Sequence, residues 1–311
     1  DYAQLAESCG YDMAWVPEAF SSDAFTLLAA IATHTKRLKV ATGIVNIYSR
    51  SPALLAQTFA TLDEMSDGRA VIGLGTSGPI VVENWHGIPF EKPVRRMREV
   101  VEILRMALEG ERVNYSGQIF KLQGFQMLMR PVQARIPIYL ATFKPNAVRQ
   151  TGEIADGWLP THVSVKNLPT LRAALDEGAA VAKRDPRSID MAALTLAACD
   201  ENGDVARALC AQHLAYYVGG MGTFYGELMH EYGYGEIAER IQALWKNGDR
   251  EGATRSIPRD VLDDLVVAGT RDECRAALDV RRRAGFTHIA AFPPHGANPD
   301  QVRRTLRAIA A

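Results

Sequence analysis

The chain has 311 residues, 47% hydrophobic and 23% charged, which supplies a large apolar core and excludes disordered and fibrous polymers. Lys and Arg total 35 against 36 Asp and Glu, a formal net charge of −1 that lacks the overall basic field of a general nucleic-acid binder. The longest strongly apolar runs, residues 71–75 and 192–198, fall far short of the ~20 residues that cross a bilayer, which argues against an integral membrane protein.

The chain begins at Asp1 directly in a helical pattern, Tyr2, Leu5, Ala6 and Cys9. Residues 12–17 read as a strand, 24–35 as a helix and 38–44 as the next strand. Ser51 caps a helix with Pro52 at its first position, where a missing N–H costs nothing. Leu55, Phe59 and Leu62 mark its buried face, and Ser66-Asp67-Gly68 stops it. Residues 70–75 are a strand, and Met97, Val100, Val101, Leu104 and Leu108 have helical spacing up to Gly110. Val113, Tyr115, Ile119 and Phe120 around Ser116-Gly117 predict a β-hairpin that interrupts the rhythm. Strands over 136–141, 157–160 and 191–198 alternate with helices over 146–155 and 168–184. Residues 205–264 are helical with glycine-rich interruptions, then come a helix over 272–284, a strand over 288–292 and a helix over 299–310.

Seven strands, each followed by a helix, close most naturally into an α/β fold of the (β/α)8 TIM-barrel type. A seven-strand count that starts in a helix predicts that the first strand of the barrel lies upstream of Asp1. The competing arrangement is an open doubly wound sheet, but no GxGxxG falls between a strand and a helix. The expectation is therefore a single domain over 1–311 with a hairpin insert at about 112–125 and a helical insertion at about 205–264. Cys9, Cys199, Cys210 and Cys274 lack CxxC or His-paired spacing, so no metal site and no disulfide framework is expected, and the thiols read as reduced, buried residues of a cytosolic protein.

Function in a barrel collects where strands end at the C-terminal mouth. Those ends are Pro17-Glu18-Ala19, Thr42-Gly43-Ile44-Val45-Asn46, Gly75-Thr76-Ser77-Gly78-Pro79, Ala141-Thr142-Phe143-Lys144, Pro160-Thr161-His162 and Phe292-Pro293-Pro294-His295. The Gly75–Gly78 turn can aim backbone N–H groups and two hydroxyls at an anion, or simply be a tight loop. Lys144 before Pro145 is either a cation beside a helix N-terminus or a solvated surface lysine.

Several ordered motifs together resemble the bacterial-luciferase-like superfamily, and within it the members that use the deazaflavin coenzyme F420. They are Trp15-Val16-Pro17-Glu18, Thr42-Gly43-Ile44 with Arg50-Ser51-Pro52, Thr61-Leu62-Asp63 with Ser66-Asp67-Gly68-Arg69, and Gly73-Leu74-Gly75-Thr76-Ser77-Gly78-Pro79. The stretch from Ser77 through Trp85-His86-Gly87, with Lys92-Pro93 and Arg98-Glu99, is similar to a group of F420-dependent oxidoreductases. Ile138-Tyr139-Leu140-Ala141 and Glu153-Ile154-Ala155-Asp156-Gly157-Trp158 match its second half.

The resemblance implies a barrel that holds a flavin-like ring at its mouth, backed by a non-prolyl cis peptide that falls on Gly43-Ile44, with Glu18 and Thr42 beside it. It implies contacts to the ring or its side chain from Thr76, Ser77 and Gly78. The phosphate of the tail would sit near Thr142, Phe143 and Lys144 and the turn at Asp156-Gly157. Many relatives have Gly-Pro where this chain has Lys144-Pro145. The alcohol and sugar-phosphate dehydrogenases of the superfamily carry Asp-His after the second strand and Gly-Glu after the fourth. Here those positions read Glu18-Ala19 and Gly78-Pro79, which disfavours proton abstraction from an alcohol by that route. The candidate catalytic groups are then Glu18 and His86. Asp23, His162 and His295 are further ionisable groups on mouth loops, and Tyr216-Tyr217 with Phe224-Tyr225 read as a lid, a substrate wall or core.

The leading expectation is a cytosolic, homodimeric F420-dependent oxidoreductase that exchanges a hydride with a small organic substrate, without nucleic-acid or membrane partners. An FMN-dependent luciferase-like monooxygenase is the alternative. The missing Asp-His pair motivates a third reading, a non-catalytic binding protein on the same barrel.

Overall fold

The computed structural model describes residues 1–19 and 21–310. Its elements, in chain order, are α1 (Tyr2–Ser8), β1 (Met13–Val16), α2 (Ala24–His34), β2 (Lys39–Thr42), β3 (Val45–Asn46), α3 (Pro52–Met65), β4 (Ala70–Gly75), α4 (Pro93–Leu108), β5 (Val113–Ser116) and β6 (Lys121–Phe125). They continue with β7 (Ile138–Ala141), α5 (Pro145–Ile154), β8 (Gly157–Trp158), α6 (Leu168–Val181), β9 (Asp190–Cys199), α7 (Gly203–Gly220), α8 (Phe224–Glu231), α9 (Gly235–Lys246), α10 (Arg250–Arg255) and α11 (Arg259–Leu265). The last are β10 (Val267–Gly269), α12 (Arg271–Ala284), β11 (His288–Phe292) and α13 (Pro299–Ile309).

Parallel pairing runs β1-β2-β4-β7-β8-β9, after which β11 and β10 both pair with β9 and β3 adds to the end of β4. The wall is a nearly closed barrel. Among the described residues, β1 and β11 lie side by side without pairing. A cleft of about 490 Å³ lined by Tyr11, Met13, Lys39 and His288 opens there at the strand N-termini, at the far end of the barrel from the mouth.

Local sequence explains most boundaries. Ser51 accepts a hydrogen bond from Leu54 N with Pro52 at the start of α3, and Leu55, Phe59 and Leu62 are buried as their spacing demands. A reciprocal Thr270/Glu273 capping box starts α12, and Gly285 at φ +111° ends it. Two short strands escape a reading by period: β3 continues the predicted 38–44 strand after a break at Gly43-Ile44, and three-residue β10 shows no alternation.

The barrel interior is filled by Trp15, Ala41, Val71, Tyr139, Leu159 and Leu194, with the Trp15 and Tyr139 rings edge to face at 5.3 Å. Glycines on neighbouring strands make room for these aromatics. Outside the wall, α2–α4 cover β2, β4 and β7 through residues such as Leu28, Phe59, Ile72 and Leu104. The helices α5–α11 cover β8 and β9 through Trp158, Leu175, Leu196 and Leu214.

The hairpin β5–β6 is docked by one fully buried carboxylate. Glu99 on α4 accepts from the backbone N–H groups of Gln118, Ile119 and Phe120 at 2.8–3.0 Å and pairs with Arg95 at 3.1 Å. Burial works against the charge, but the three N–H donors and Arg95 outweigh it and hold the carboxyl below its usual range. Stability from this clamp is therefore present above the ordinary carboxylate pKa and lost as the pH falls through the lowered one. Glu99→Gln replaces one acceptor oxygen by an NH2 that faces an N–H, and is expected to cost about 2 kcal/mol. Urea unfolding at pH 7 measures it, and a loss below about 0.5 kcal/mol would remove the clamp from the account.

Candidate active site

The mouth is built first on β2–β4. The Gly43-Ile44 peptide is cis, as the resemblance implies. It is held from both sides, Gly43 N–H donating to Val16 O at 2.8 Å and Glu18 N–H to Ile44 O at 3.1 Å. Ile44 lies across Gly75, where an added Cβ would come within 2.8 Å of its side chain. Beyond β4 the chain leaves the wall through Thr76, Ser77 at φ +56°, and Gly78, whose Cα faces open space. Among the described residues, the N–H groups of these three find no protein acceptor. Thr42 does not reach the mouth with its hydroxyl. It is fully buried, donating to Gly73 O at 2.7 Å and accepting from Gly73 N–H at 2.9 Å, so the expected cofactor contact from this side chain is corrected to a clasp between β2 and β4.

Glu18 stands at the end of β1 with both oxygens engaged. Arg50 grips it at 2.5 and 3.0 Å, and Ala24 N–H donates to Oε2 at 3.2 Å. Arg50 also reaches Asp23 at 2.9 Å, while Asp23 caps α2 through Thr26 N–H. The bonds to Glu18 push the Arg50 pKa up. Glu18 thus sets the position of Arg50 and the start of α2. The side chain stands as a salt bridge to Arg50 and an acceptor at the start of α2.

His86 follows the π-helical turn Ile80–Trp85 and is exposed at the rim. Its Nε2 lies 3.4 Å from Asn46 Nδ2. Asn46 Oδ1 accepts from the N–H groups of Tyr48 at 2.9 Å and Ser49 at 2.7 Å, which orients the amide so that Nδ2 donates. Nε2 of His86 is then the acceptor, and the neutral ring carries its proton on Nδ1.

After β7, the Thr142 hydroxyl is paired internally with Thr151 at 2.8 Å and its carbonyl accepts from Trp158 Nε1 at 2.8 Å. The Phe143 ring packs edge-on against Phe224 at 5.4 Å. Lys144 gives its ammonium to Glu231 at 2.7 Å and Glu227 at 3.4 Å, both on α8. What this segment offers an anion is backbone: the N–H groups of Phe143, Lys144 and Asn146, at the start of α5, find no protein acceptor among the described residues. Gly157 is displaced from the expected place. It begins β8 at the opposite end from the mouth, pressed against the Tyr139 ring, while Asp156 before it takes Arg105, Arg135 and the N–H of Ile138. A turn that precedes a strand lies on the floor, so Asp156-Gly157 cannot meet a phosphate at the mouth.

The far wall comes from the helical insertion. His162, at φ +50° beyond β8, is buried among His213 and Tyr217 of α7, Tyr225 of α8 and Phe292 of β11, with ring centroids 5.4–6.1 Å away. His213 stacks on Tyr217 at 4.7 Å and on His295 at 4.6 Å, and its Nδ1 accepts the N–H of His295 at 2.9 Å. Burial lowers the His162 pKa to about 4. Burial, aided by the neighbouring histidines, lowers that of His213 to about 3. The unfolded chain binds more protons than the fold below about pH 6.5, so stability from this pair is present above that value and lost as the pH falls towards 4. The melting temperature is expected to drop by several degrees between pH 7.5 and 5.5, and by less in His162→Phe/His213→Phe. An equal drop in both proteins would contradict this.

Arg50, Asn46 and His213 were given no role by the sequence reading. The first two sit inside or beside a recognised motif, and His213 shares a helix face with Tyr217 at i+4, a spacing that marks a ring cluster but not its location.

The family model described as luciferase-like monooxygenase matches residues 1–288. A protein of Mycobacterium tuberculosis provisionally named a coenzyme F420-dependent oxidoreductase is 33% identical over 96% of this chain and 90% of its own. The 5,10-methylenetetrahydromethanopterin reductase of Archaeoglobus fulgidus is 31% identical over the same shares. The solved coenzyme F420-dependent tetrahydromethanopterin reductase of Methanopyrus kandleri superposes with a TM-score of 0.88 at 28% identity, covering 99% of this chain and 93% of that one.

Proposed function

The chain belongs to the luciferase-like monooxygenase family, and from that premise we propose that it is an oxidoreductase that uses coenzyme F420 to exchange a hydride with a small organic substrate. When bound, the deazaflavin ring supplies a two-electron hydride donor or acceptor, and the protein supplies position and environment. The single observation that carries the reading is the pairing of the half-buried Gly43-Ile44 peptide with three N–H groups, at Thr76, Ser77 and Gly78, that find no acceptor among the described residues. A flat ring with a polar edge fits that arrangement.

In this reading Gly43 and Ile44 back one face of the ring, and the three amides donate to its edge. The amides of Phe143, Lys144 and Asn146, with the positive end of the α5 dipole, receive the phosphate of the tail. Lys144 adds charge there by exchanging Glu227 and Glu231 for phosphate. These exposed ion pairs are worth about 0–1 kcal/mol each, so the exchange costs little. Glu18 keeps Arg50 at the ring's border, and His86 holds a proton on Nδ1 at the rim. The relatives named as tetrahydromethanopterin reductases support a one-carbon or heterocyclic substrate over a simple alcohol, in keeping with Glu18-Ala19 where an Asp-His pair would stand.

Titration of the purified protein with F420 and with FMN, followed by cofactor fluorescence, tests the reading. F420 is expected to bind with a micromolar or lower Kd and FMN at least tenfold more weakly. Preference for FMN would favour the monooxygenase reading, and binding of neither would favour a cofactor-free barrel. The expected homodimer is checked by light scattering, where a monomer at micromolar concentration contradicts it. No helix among the described residues is long and apolar enough to cross a membrane.

A further inference from the structure

Two buried nitrogens at the far wall of the mouth, His162 Nδ1 and His213 Nε2, have no hydrogen-bond partner among the described residues. Buried polar atoms are rarely left so, because each forfeits the bond it had with water. The tautomer of His213 follows from the geometry. Its Nδ1 accepts the N–H of His295, so its proton sits on Nε2, and the unpartnered atom is a donor. His162 Nδ1 takes either role, and can therefore complement that donor as an acceptor.

Rings face the pair from every side: Tyr217 from α7, Tyr225 from α8, and Phe292 and His295 from the end of β11. Among the described residues, no carboxylate, lysine or arginine is bonded to either imidazole, and burial keeps both neutral at pH 7. A clasp of one donor and one acceptor between aromatic faces selects a flat, uncharged ligand whose edge carries a carbonyl next to an N–H. The imidazole centroids are 6.1 Å apart with their planes tilted by 47°.

We propose that His162 and His213 form the polar clasp for the lactam-type edge of a planar, uncharged heteroaromatic substrate, seated on the side of the mouth opposite Gly43-Ile44. This rests on the reading of the mouth as a cofactor and substrate site. Neither imidazole touches the segments assigned to the cofactor. Entry requires α8 to give way, and α8 is tied to the α5 start by the exposed pairs from Lys144 to Glu227 and Glu231.

The probe is 2-quinolinone, a fluorescent lactam, compared with N-methyl-2-quinolinone, which lacks the N–H, and quinoline-2-carboxylate, which adds a charge. Each is titrated into the full chain with and without F420. The lactam is expected to bind at least tenfold more tightly than either analogue, and His213→Phe or His162→Phe, which keep a ring in place, to weaken it at least tenfold. The F420 Kd should stay within threefold. In the wild-type protein, the ¹⁵N resonance of His213 Nε2 should shift on lactam addition, a readout that needs no variant to fold. Equal binding of lactam and N-methyl lactam, binding unchanged in both variants, no lactam binding, or a stationary Nε2 resonance would each overturn the clasp. F420 binding without lactam discrimination sinks this inference alone, whereas loss of F420 binding to the wild-type protein sinks the reading beneath it.

Discussion

Gly73→Ala is expected to destabilise the protein by about 3 kcal/mol or more. A Cβ at position 73 would stand 1.8 Å from the carbonyl oxygen of Thr42 and 3.3 Å from the Trp15 ring. The first of these atoms is backbone in a neighbouring strand and cannot turn aside. The strands cannot separate cheaply either, because the Thr42 hydroxyl bonds both the N–H and the carbonyl of Gly73 at 2.9 and 2.7 Å. Overpacking of a tight core costs typically 1–3 kcal/mol, and each lost internal hydrogen bond adds about 1. At roughly 2–4 °C per kcal/mol for a chain of this size, the melting temperature should fall by roughly 6–12 °C. Circular dichroism melts of Gly73→Ala beside Gly78→Ala, whose Cβ would meet nothing within 4 Å, make the comparison. A Gly73→Ala melt within about 1 °C of wild type would contradict the packing described for β2 and β4.

Gly78→Leu should do the opposite, leaving the fold intact and removing the cofactor. The Cα faces open space, the residue adopts no left-handed conformation, and its N–H is one of the three proposed ring contacts. A leucine side chain there occupies the volume that the ring edge would need. The Kd for F420 is expected to rise at least 100-fold, about 2.7 kcal/mol, with the melting temperature within about 2 °C of wild type. Fluorescence titration and thermal melts on one preparation give both numbers. An unchanged Kd would move the ring away from Thr76-Ser77-Gly78 and take with it the observation on which the proposed function rests.

Apart from the short strands β3 and β10, the sequence reading failed on contacts rather than on elements. Thr42, Thr142 and Gly157 were assigned to the cofactor because they border mouth motifs. In the fold, the two hydroxyls are consumed inside the wall and Gly157 starts its strand on the floor. Lys144 was weighed as a phosphate cation or a solvated surface lysine, and it lies half exposed with its ammonium paired to α8. Nothing near Lys144 in the chain announces Glu227 or Glu231, which approach only when α8 folds back over the mouth.

The parts that local sequence decides are the staves and their ends. Apolar alternation, the Ser51-Pro52 and Thr270/Glu273 caps and the glycine stops act within a few residues, so they place helices, strands and the mouth motifs without reference to the rest of the chain. Only the assembled barrel decides which side chains share that mouth. Arg50 meets Glu18, Asn46 meets His86, and His162 meets His213 across separations of 32, 40 and 51 residues in the chain. Strand tilt, register and the docking of α7 and α8 set those meetings, and none of them leaves a periodic trace in the sequence.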